Sequence, residues 1–352
     1  MRWLCLGWLL ISPLLYAAKL PENFEQLDAD VQAVILEYLF FSEQADQVWG
    51  DDFATSDRYR LVKYLDNYHT RVTIDFAGGR IRVEQRGGEQ PVAALQHAIV
   101  ATLLTPADPN QVDLYTAADM GLTGKPFLAG RVKDFDGQDI LYRWRANRFA
   151  EQLLSRSLQQ SGGRYWVDIA MVNNYLNAGA RQYWPLVQAA ADKYQVSPAL
   201  ILAIMETESS FNPLAVSPVR AYGLMQVMRK TAGRDVFQRV YGRDDTPSRN
   251  FLFDPANNID VGTAYLSVLR DVYLKDIRGW RKRQYCMIAA YNGGAGNLFR
   301  TFSRDRKRAI ARINAMSAQQ VYNTIVSSHR SGETRRYLKK VTAKQQKYSA
   351  WK

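Results

Sequence analysis

Cysteine and histidine are almost missing from this chain: 2 Cys and 3 His occur in 352 residues. Cys5 lies in an apolar leader, so beyond it only Cys286 remains and an intramolecular disulfide is excluded. His69, His97 and His329 are dispersed, which offers no metal-ligand spacing and no Ser-His-Asp arrangement. Neither a metal nor a cofactor is expected. Acid is scarcer than base, 34 Asp and Glu against 46 Lys and Arg, for a net charge of +12. That balance favours anionic partners. The basic residues are scattered and no nucleic-acid-binding motif accompanies them, so nucleic acid is not expected among the partners. Internal repeats and low-complexity tracts are also absent. Gly293-Gly294-Ala295-Gly296 lacks both a preceding strand and a Gly-Lys-Ser/Thr ending, which excludes a phosphate loop.

The apolar run Trp3 to Leu15 falls short of the roughly 20 residues that a bilayer span requires. With Met1-Arg2 before it and Ala17 and Ala18 after it, residues 1–18 have the layout of a cleavable secretory signal. Cys5 sits behind Arg2-Trp3-Leu4 rather than after the apolar region, so no lipid attachment site is seen. The mature chain is expected in the periplasm, with association to the outer membrane or an envelope complex left open.

At about 150 residues per domain the length suggests two domains. Residues 19–163 read as a small α+β domain. Val31, Val34, Ile35, Tyr38 and Leu39 form a helical stripe within Val31 to Trp49. Val72, Ile74 and Phe76 then alternate with polar residues, Gly78-Gly79 supplies a turn, and Ile81 and Val83 resume the alternation, which reads as a β-hairpin. Leu141 to Leu158 reads as a helix with Arg143, Arg145 and Arg148 on its polar face. Gly162-Gly163 marks a hinge, and Tyr165 to Ala170 is a strand that fits either side. Residues 164–352 read as all-α, with Pro185, Pro198, Pro213 and Pro255 expected at helix starts or in loops. The basic residues Lys339, Lys340, Lys344 and Lys347 read as a solvated helix face.

One carboxylate stands out within the helical part. Ser197 suits an N-cap with Pro198 at the first helical position, and Ile201, Ile204, Met205 and Glu208 follow at i, i+3, i+4 and i+7. Glu208 thus ends an apolar stripe close to the helix C-terminus, where Asn212 and Pro213 stop the helix. Desolvation and the negative end of the macrodipole both disfavour its ionised form, which is what a general acid needs. Glu206 projects to nearly the opposite side and is expected in solvent. On periodicity alone, a glutamate at a frayed helix end is the plainer reading of Glu208.

Four short motifs change that reading: Glu208-Ser209-Ser210-Phe211-Asn212-Pro213, Gly223-Leu224-Met225-Gln226, Ala290-Tyr291-Asn292-Gly293-Gly294 and Glu333-Thr334-Arg335-Arg336-Tyr337-Leu338. In this order and at these separations they resemble the active-site signature of the lytic transglycosylases, relatives of goose-type lysozyme that cut the glycan strands of bacterial peptidoglycan. The resemblance implies a lysozyme-like catalytic domain with Glu208 as single acid/base. It implies non-hydrolytic cleavage of the MurNAc-GlcNAc β-1,4 bond, leaving 1,6-anhydromuramic ends. It also implies substrate contacts from Ser217, Met225, Gln226, Met228, Tyr291, Asn292, Glu333 and Tyr337. Met225 would be an adaptable apolar wall, Gln226 a donor and acceptor, and Glu333 an orienting group. A second carboxylate, which most glycosidases use, would have to come from Asp254, Asp260 or Glu333. Stem-peptide carboxylates of peptidoglycan also fit the positive charge of the chain.

The hairpin, Val112-Asp113-Leu114-Tyr115 and Lys125-Pro126-Phe127-Leu128 resemble the amino-terminal domain of the membrane-bound, C-type branch of that family. Thr246-Pro247-Ser248-Arg249, Asp254-Pro255 and Gly262-Thr263-Ala264-Tyr265-Leu266 are similar to the same branch. Two departures accompany the resemblance. That branch is lipid-anchored, whereas no acceptor Cys is seen here. The family usually has Gly-Ala before its Gly-Leu-Met-Gln motif, whereas Arg220-Ala221-Tyr222 precede Gly223 here. A hydrolytic lysozyme on the same scaffold and a noncatalytic peptidoglycan-binding module stay open as alternatives.

Overall fold

The computed structural model describes residues 24–26, 29–106, 126–217 and 219–351. The leader at 1–18, Val112-Asp113-Leu114-Tyr115 and Lys125 lie outside the described residues.

The first half is built on a sheet. Helix α1 (Ala29–Trp49) leads to strands β1 (Arg60–Leu65), β2 (Thr70–Asp75) and β3 (Arg80–Arg86); helices α2 (Pro91–Leu103) and α3 (Arg143–Ser157) precede β4 (Gln159–Ser161) and β5 (Arg164–Ala170). The sheet is antiparallel with strand order β1-β2-β3-β5-β4. Of the stripe expected on α1, Leu39 is half-buried, and the side chains of Val31, Val34, Ile35 and Tyr38 lie outside the described residues. The expected hairpin forms with Val72 opposite Val83 and Ile74 opposite Ile81. Its turn is set by the Asp75 carboxylate, which accepts from the backbone N–H groups of Ala77 (3.0 Å) and Gly78 (2.8 Å). Gly79 follows at φ 66°, with the Tyr175 ring where a Cβ would stand.

Strand β1 faces two cores because alternate residues point to opposite sides. Leu61 and Leu65 join the main core, while Val62 and Tyr64 pack with Phe41, Ala45 and Trp49 of α1. Gly162-Gly163, expected as a hinge, is instead the turn between β4 and β5. Strand β5 pairs with β3 from Arg80↔Ala170 to Arg86↔Arg164, so a boundary at 163 would remove an interior strand. The sheet-bearing half therefore runs to Ala170.

The second half is helical: α4 (Tyr175–Tyr194), α5 (Pro198–Ser209), α6 (Arg234–Arg239), α7 (Arg249–Phe253), α8 (Pro255–Val268), α9 (Trp280–Gly293), α10 (Ala295–Phe302), α11 (Arg306–Ala315), α12 (Ala318–Ser328) and α13 (Gly332–Tyr348). It also holds a short ribbon, β6 (Ala221–Tyr222) with β7 (Val227–Met228). The chain is thus α+β and then helical, and one continuous apolar core runs from Leu61 through Tyr183 and Ile204 to Val341. Pro198 and Pro255 open helices and Pro213 lies in a loop, as expected. Pro185 instead lies inside α4, where it removes the donor to the Arg181 carbonyl. Tyr183 before it and Val187 after it are both buried, so packing carries the helix across the break.

Helix α5 is not amphipathic: every residue from Leu200 to Ser209 is buried, because α4 and α13 wrap it. This corrects the placing of Glu206 in solvent. Glu206 is 5% exposed and accepts from the Tyr348 hydroxyl, from Lys347 Nζ at 2.9 Å and from Lys344 Nζ at 3.3 Å. Two of the lysines expected on a solvated face are therefore turned onto a buried carboxylate. Burial raises the Glu206 carboxyl, but the Tyr348 hydroxyl and the two lysines outweigh it and hold the group below its ordinary range. Glu206→Gln is expected to cost about 1.5–3 kcal/mol at neutral pH, the range for hydrogen bonds to a charged group, as read by urea denaturation. A depressed folded-state value means that this stabilisation is complete above the ordinary carboxyl range and disappears as pH falls through the folded value. The gap between wild type and variant should therefore close in acid.

Candidate active site

Helix α5 brings Glu208 to its last turn. The helix ends earlier than Asn212-Pro213 would require, because Ser210 (φ 51°) and Phe211 (φ 62°) both turn left-handed. Its last carbonyls have no partners within the helix and must find donors elsewhere. Glu206 O accepts from Ser210 N and from Lys344 Nζ at 3.1 Å, Thr207 O from the Tyr59 hydroxyl at 2.7 Å, and Ser209 O from Asn212 N at 3.0 Å. Further along, Arg131 Nη2 donates to Phe211 O at 3.1 Å. Donors from both halves thus hold the segment around the acid. Ser197 is the N-cap residue, as expected, although its side chain makes no capping hydrogen bond.

A cavity of about 550 Å³ lies over Glu208. The Glu208 side chain is 6% exposed and lies at the cavity's base. Arg58 Nη1 stands 3.5 Å from Glu208 Oε2, and Arg58 Nη2 stands 3.4 Å from Glu333 Oε1. Burial pushes the Glu208 carboxyl up to about 7, against the opposing influence of the Tyr337 hydroxyl and the Arg58 guanidinium. Tyr337 is buried beside Glu208, and its hydroxyl faces the carboxyl as a donor without reaching good hydrogen-bond geometry. Its proton is held well above the ordinary tyrosine range, mainly by burial and then by the Glu208 charge.

The second motif forms the floor. Gly223 has φ 71°, and a Cβ there would meet Asn258 Nδ2 at 2.3 Å and Leu252 O at 2.5 Å. Asn258, fully buried, donates to Tyr222 O and Leu252 O and accepts from Met225 N at 2.8 Å, which pins the turn. Gln226 lines the cavity; its amide nitrogen donates to Ala215 O and Gly223 O at 3.0 Å, and its Oε1 is left without a partner. Ser217 and Met228 also line the cavity, the Ser217 hydroxyl accepting from Ala221 N. Met225 does not: its side chain is fully buried against Gly262, so it supports the floor and forms no wall. Arg220, at the departure noted before Gly223, adopts φ 59°.

Tyr291 and Asn292 line the opposite side. The Tyr291 hydroxyl donates to Met225 O at 2.8 Å, so that proton is already engaged. Asn292 Oδ1 accepts from Thr334 Oγ1 at 2.7 Å, tying the third motif to the fourth. Glu333 lines the mouth, whereas Tyr337, one turn on, lies in the core. Asp254 caps α8, and Asp260 is held by Tyr194, Tyr241 and Lys193, which leaves Glu333 as the one candidate second acid that reaches the cavity. Arg58 and Tyr265 line the cavity and belong to none of the four motifs. Tyr265 packs on Tyr291 at 5.7 Å between ring centroids. Arg58 lies 150 positions before the acid in a loop without periodicity, and only its neighbourhood in space reveals it.

Two family models match the chain. The N-terminal domain of membrane-bound lytic murein transglycosylase C matches residues 27–182, and the transglycosylase SLT domain matches residues 185–314. Membrane-bound lytic murein transglycosylase C of Yersinia enterocolitica is 44% identical over 356 residues, covering 97% of this chain and 98% of the relative. The same enzyme of Photorhabdus laumondii is 46% identical over 314 residues, covering 88% of each. The crystal structure of the 70 kDa soluble lytic transglycosylase of Escherichia coli is 28% identical, with a TM-score of 0.36, and the match covers 47% of this chain and 24% of that one. With 44% identity sustained over 97% of its length, the chain belongs to the membrane-bound lytic murein transglycosylase C family.

Proposed function

We propose that this member of the lytic murein transglycosylase family cuts peptidoglycan glycan strands at the MurNAc-GlcNAc β-1,4 bond with Glu208 as its single acid/base. The observation that carries this reading is a buried carboxyl at the base of the cavity, pushed up to about 7, whose one fellow acid in the lining is engaged with Arg58. A carboxyl so placed is still about half protonated near neutrality and can give its proton to the glycosidic oxygen. The sugar's own 6-hydroxyl then closes on C1, and its proton returns to Glu208. Attack within one sugar avoids the entropy of capturing a water. Gln226 stands in the lining with its Oε1 buried and unpartnered, and Tyr265 and Tyr291 add aromatic surface. Ser217, Met228, Asn292 and Glu333 complete the proposed contacts, with Met225 and Tyr337 supporting them from beneath.

We place this activity in the periplasm, at the cell envelope. No helix among the described residues is long and apolar enough to cross a membrane.

Muropeptides released from purified peptidoglycan should end in 1,6-anhydromuramic acid by mass spectrometry, and Glu208→Gln should slow their release roughly a hundred- to ten-thousand-fold. Reducing muramic ends would mean a water-using muramidase, and binding without release a noncatalytic module. Because Glu208 acts only while protonated, kcat/KM should hold below about pH 7 and decline above it. A profile flat through that region would remove Glu208 as the acid.

A further inference from the structure

The sheet-bearing half has no part in the four motifs, yet it reaches the acid. The loop before β1 is rigid: Asp57 Oδ1 accepts from Tyr59 N at 2.7 Å and from Arg60 N at 2.8 Å, and the Tyr59 hydroxyl is fixed on Thr207 O. Asn212 Nδ2 donates to Arg58 O at 3.4 Å, so the backbone of Arg58 is tied to the turn that follows the acid. Its guanidinium then stands between two carboxyls, 3.5 Å from Glu208 and 3.4 Å from Glu333. Both contacts are longer than the roughly 2.7–2.9 Å of a closed charge-assisted pair, which leaves room for either to tighten.

We propose that Arg58 is a positioning and charge-balancing residue for proton transfer at Glu208, shared with Glu333 so that it draws toward whichever carboxyl carries the charge. The inference rests on Glu208 being the acid. When the C1–O4 bond breaks, its electron pair stays on oxygen, which takes the Glu208 proton, and a carboxylate is left facing Arg58. When the 6-hydroxyl oxygen bonds to C1, its proton returns to Glu208 and Arg58 relaxes toward Glu333. The groups facing Glu208 are Tyr337 from α13, Tyr291 from α9, Tyr59 and Arg58 from the loop, and Glu333 from α13. Burial keeps all three tyrosines above their ordinary value and hence neutral. Among the described residues, Arg58 is therefore the cation and Glu333 the anion that grade the proton affinity of the acid. The burial of Glu208 also strengthens both influences.

The test is the pH profile of kcat/KM for muropeptide release. Arg58→Gln should move the decline at alkaline pH upward, because a cation beside the carboxylate is gone. It should also lower kcat about tenfold, less than the hundred- to thousandfold for a donor aimed directly at a reacting oxygen. Glu333→Gln should move the same decline downward, because Arg58 is then left to Glu208 alone. Arg58→Lys, which keeps the charge, should restore most of the wild-type profile. A merely structural role for Arg58 does not produce shifts of opposite sign, so shifts in one direction or none at all overturn the proposal. Glu333 is more than half exposed, so that variant should fold; if Arg58→Gln does not fold, Arg58→Lys decides the matter, and a profile unlike the wild type's in that variant overturns the proposal. An inactive Glu208→Gln beside unmoved profiles leaves the acid in place and removes only this inference; an active Glu208→Gln removes both.

Discussion

A helix buried on all sides cannot leave its last carbonyls to water, and α5 is such a helix. Donors must therefore be brought to its C-terminal end from elsewhere in the fold. The chain supplies them from both of its ends: the Tyr59 hydroxyl from the loop before β1 and the Lys344 ammonium from α13. Glu208 lies in the same turn, so the groups that satisfy the backbone also fix where the carboxyl points. The close packing that makes the helix hard to terminate is also what desolvates the acid.

Much of this was legible in the sequence, and the failures have physical causes. The β2–β3 hairpin announces itself because one face of those strands follows strict alternation and the turn demands glycine. Glu208 stands out because the first of the four motifs begins on it and the others gather around its cavity. Its neighbour Glu206 was misplaced because a two-residue offset implies opposite faces, and opposite faces imply solvent only when one side of a helix is free. Met225 was read as a wall because its motif lies at the site, whereas Gly262 makes room for its side chain below the floor. Arg58 left no trace, since a loop residue far along the chain has neither period nor spacing. Gly162-Gly163 looked like a hinge because a hairpin turn and a linker use the same residues.

The excess of positive charge is not all surface. Lys344 and Lys347 turn inward to Glu206, Arg58 stands between two carboxyls, and Arg131, fully buried, gives Nη2 to the Phe211 carbonyl. Each of these cations lies at or just beyond the C-terminal end of α5, where the helix dipole is negative. Cations at that end offset the helix dipole beside Glu208, whose carboxyl is raised chiefly by burial.

The antiparallel sheet is completed by β5, whose last residue is made before the first residue of α5. Synthesis therefore makes every strand of that sheet, and Arg58, Tyr59 and Arg131 with them, before α5. Because the apolar cores merge across that junction, the early half awaits the later one with part of its core uncovered. Enclosure of the Glu208 carboxyl then waits for α13, the last helix, which brings Tyr337 and Lys344 to the end of α5.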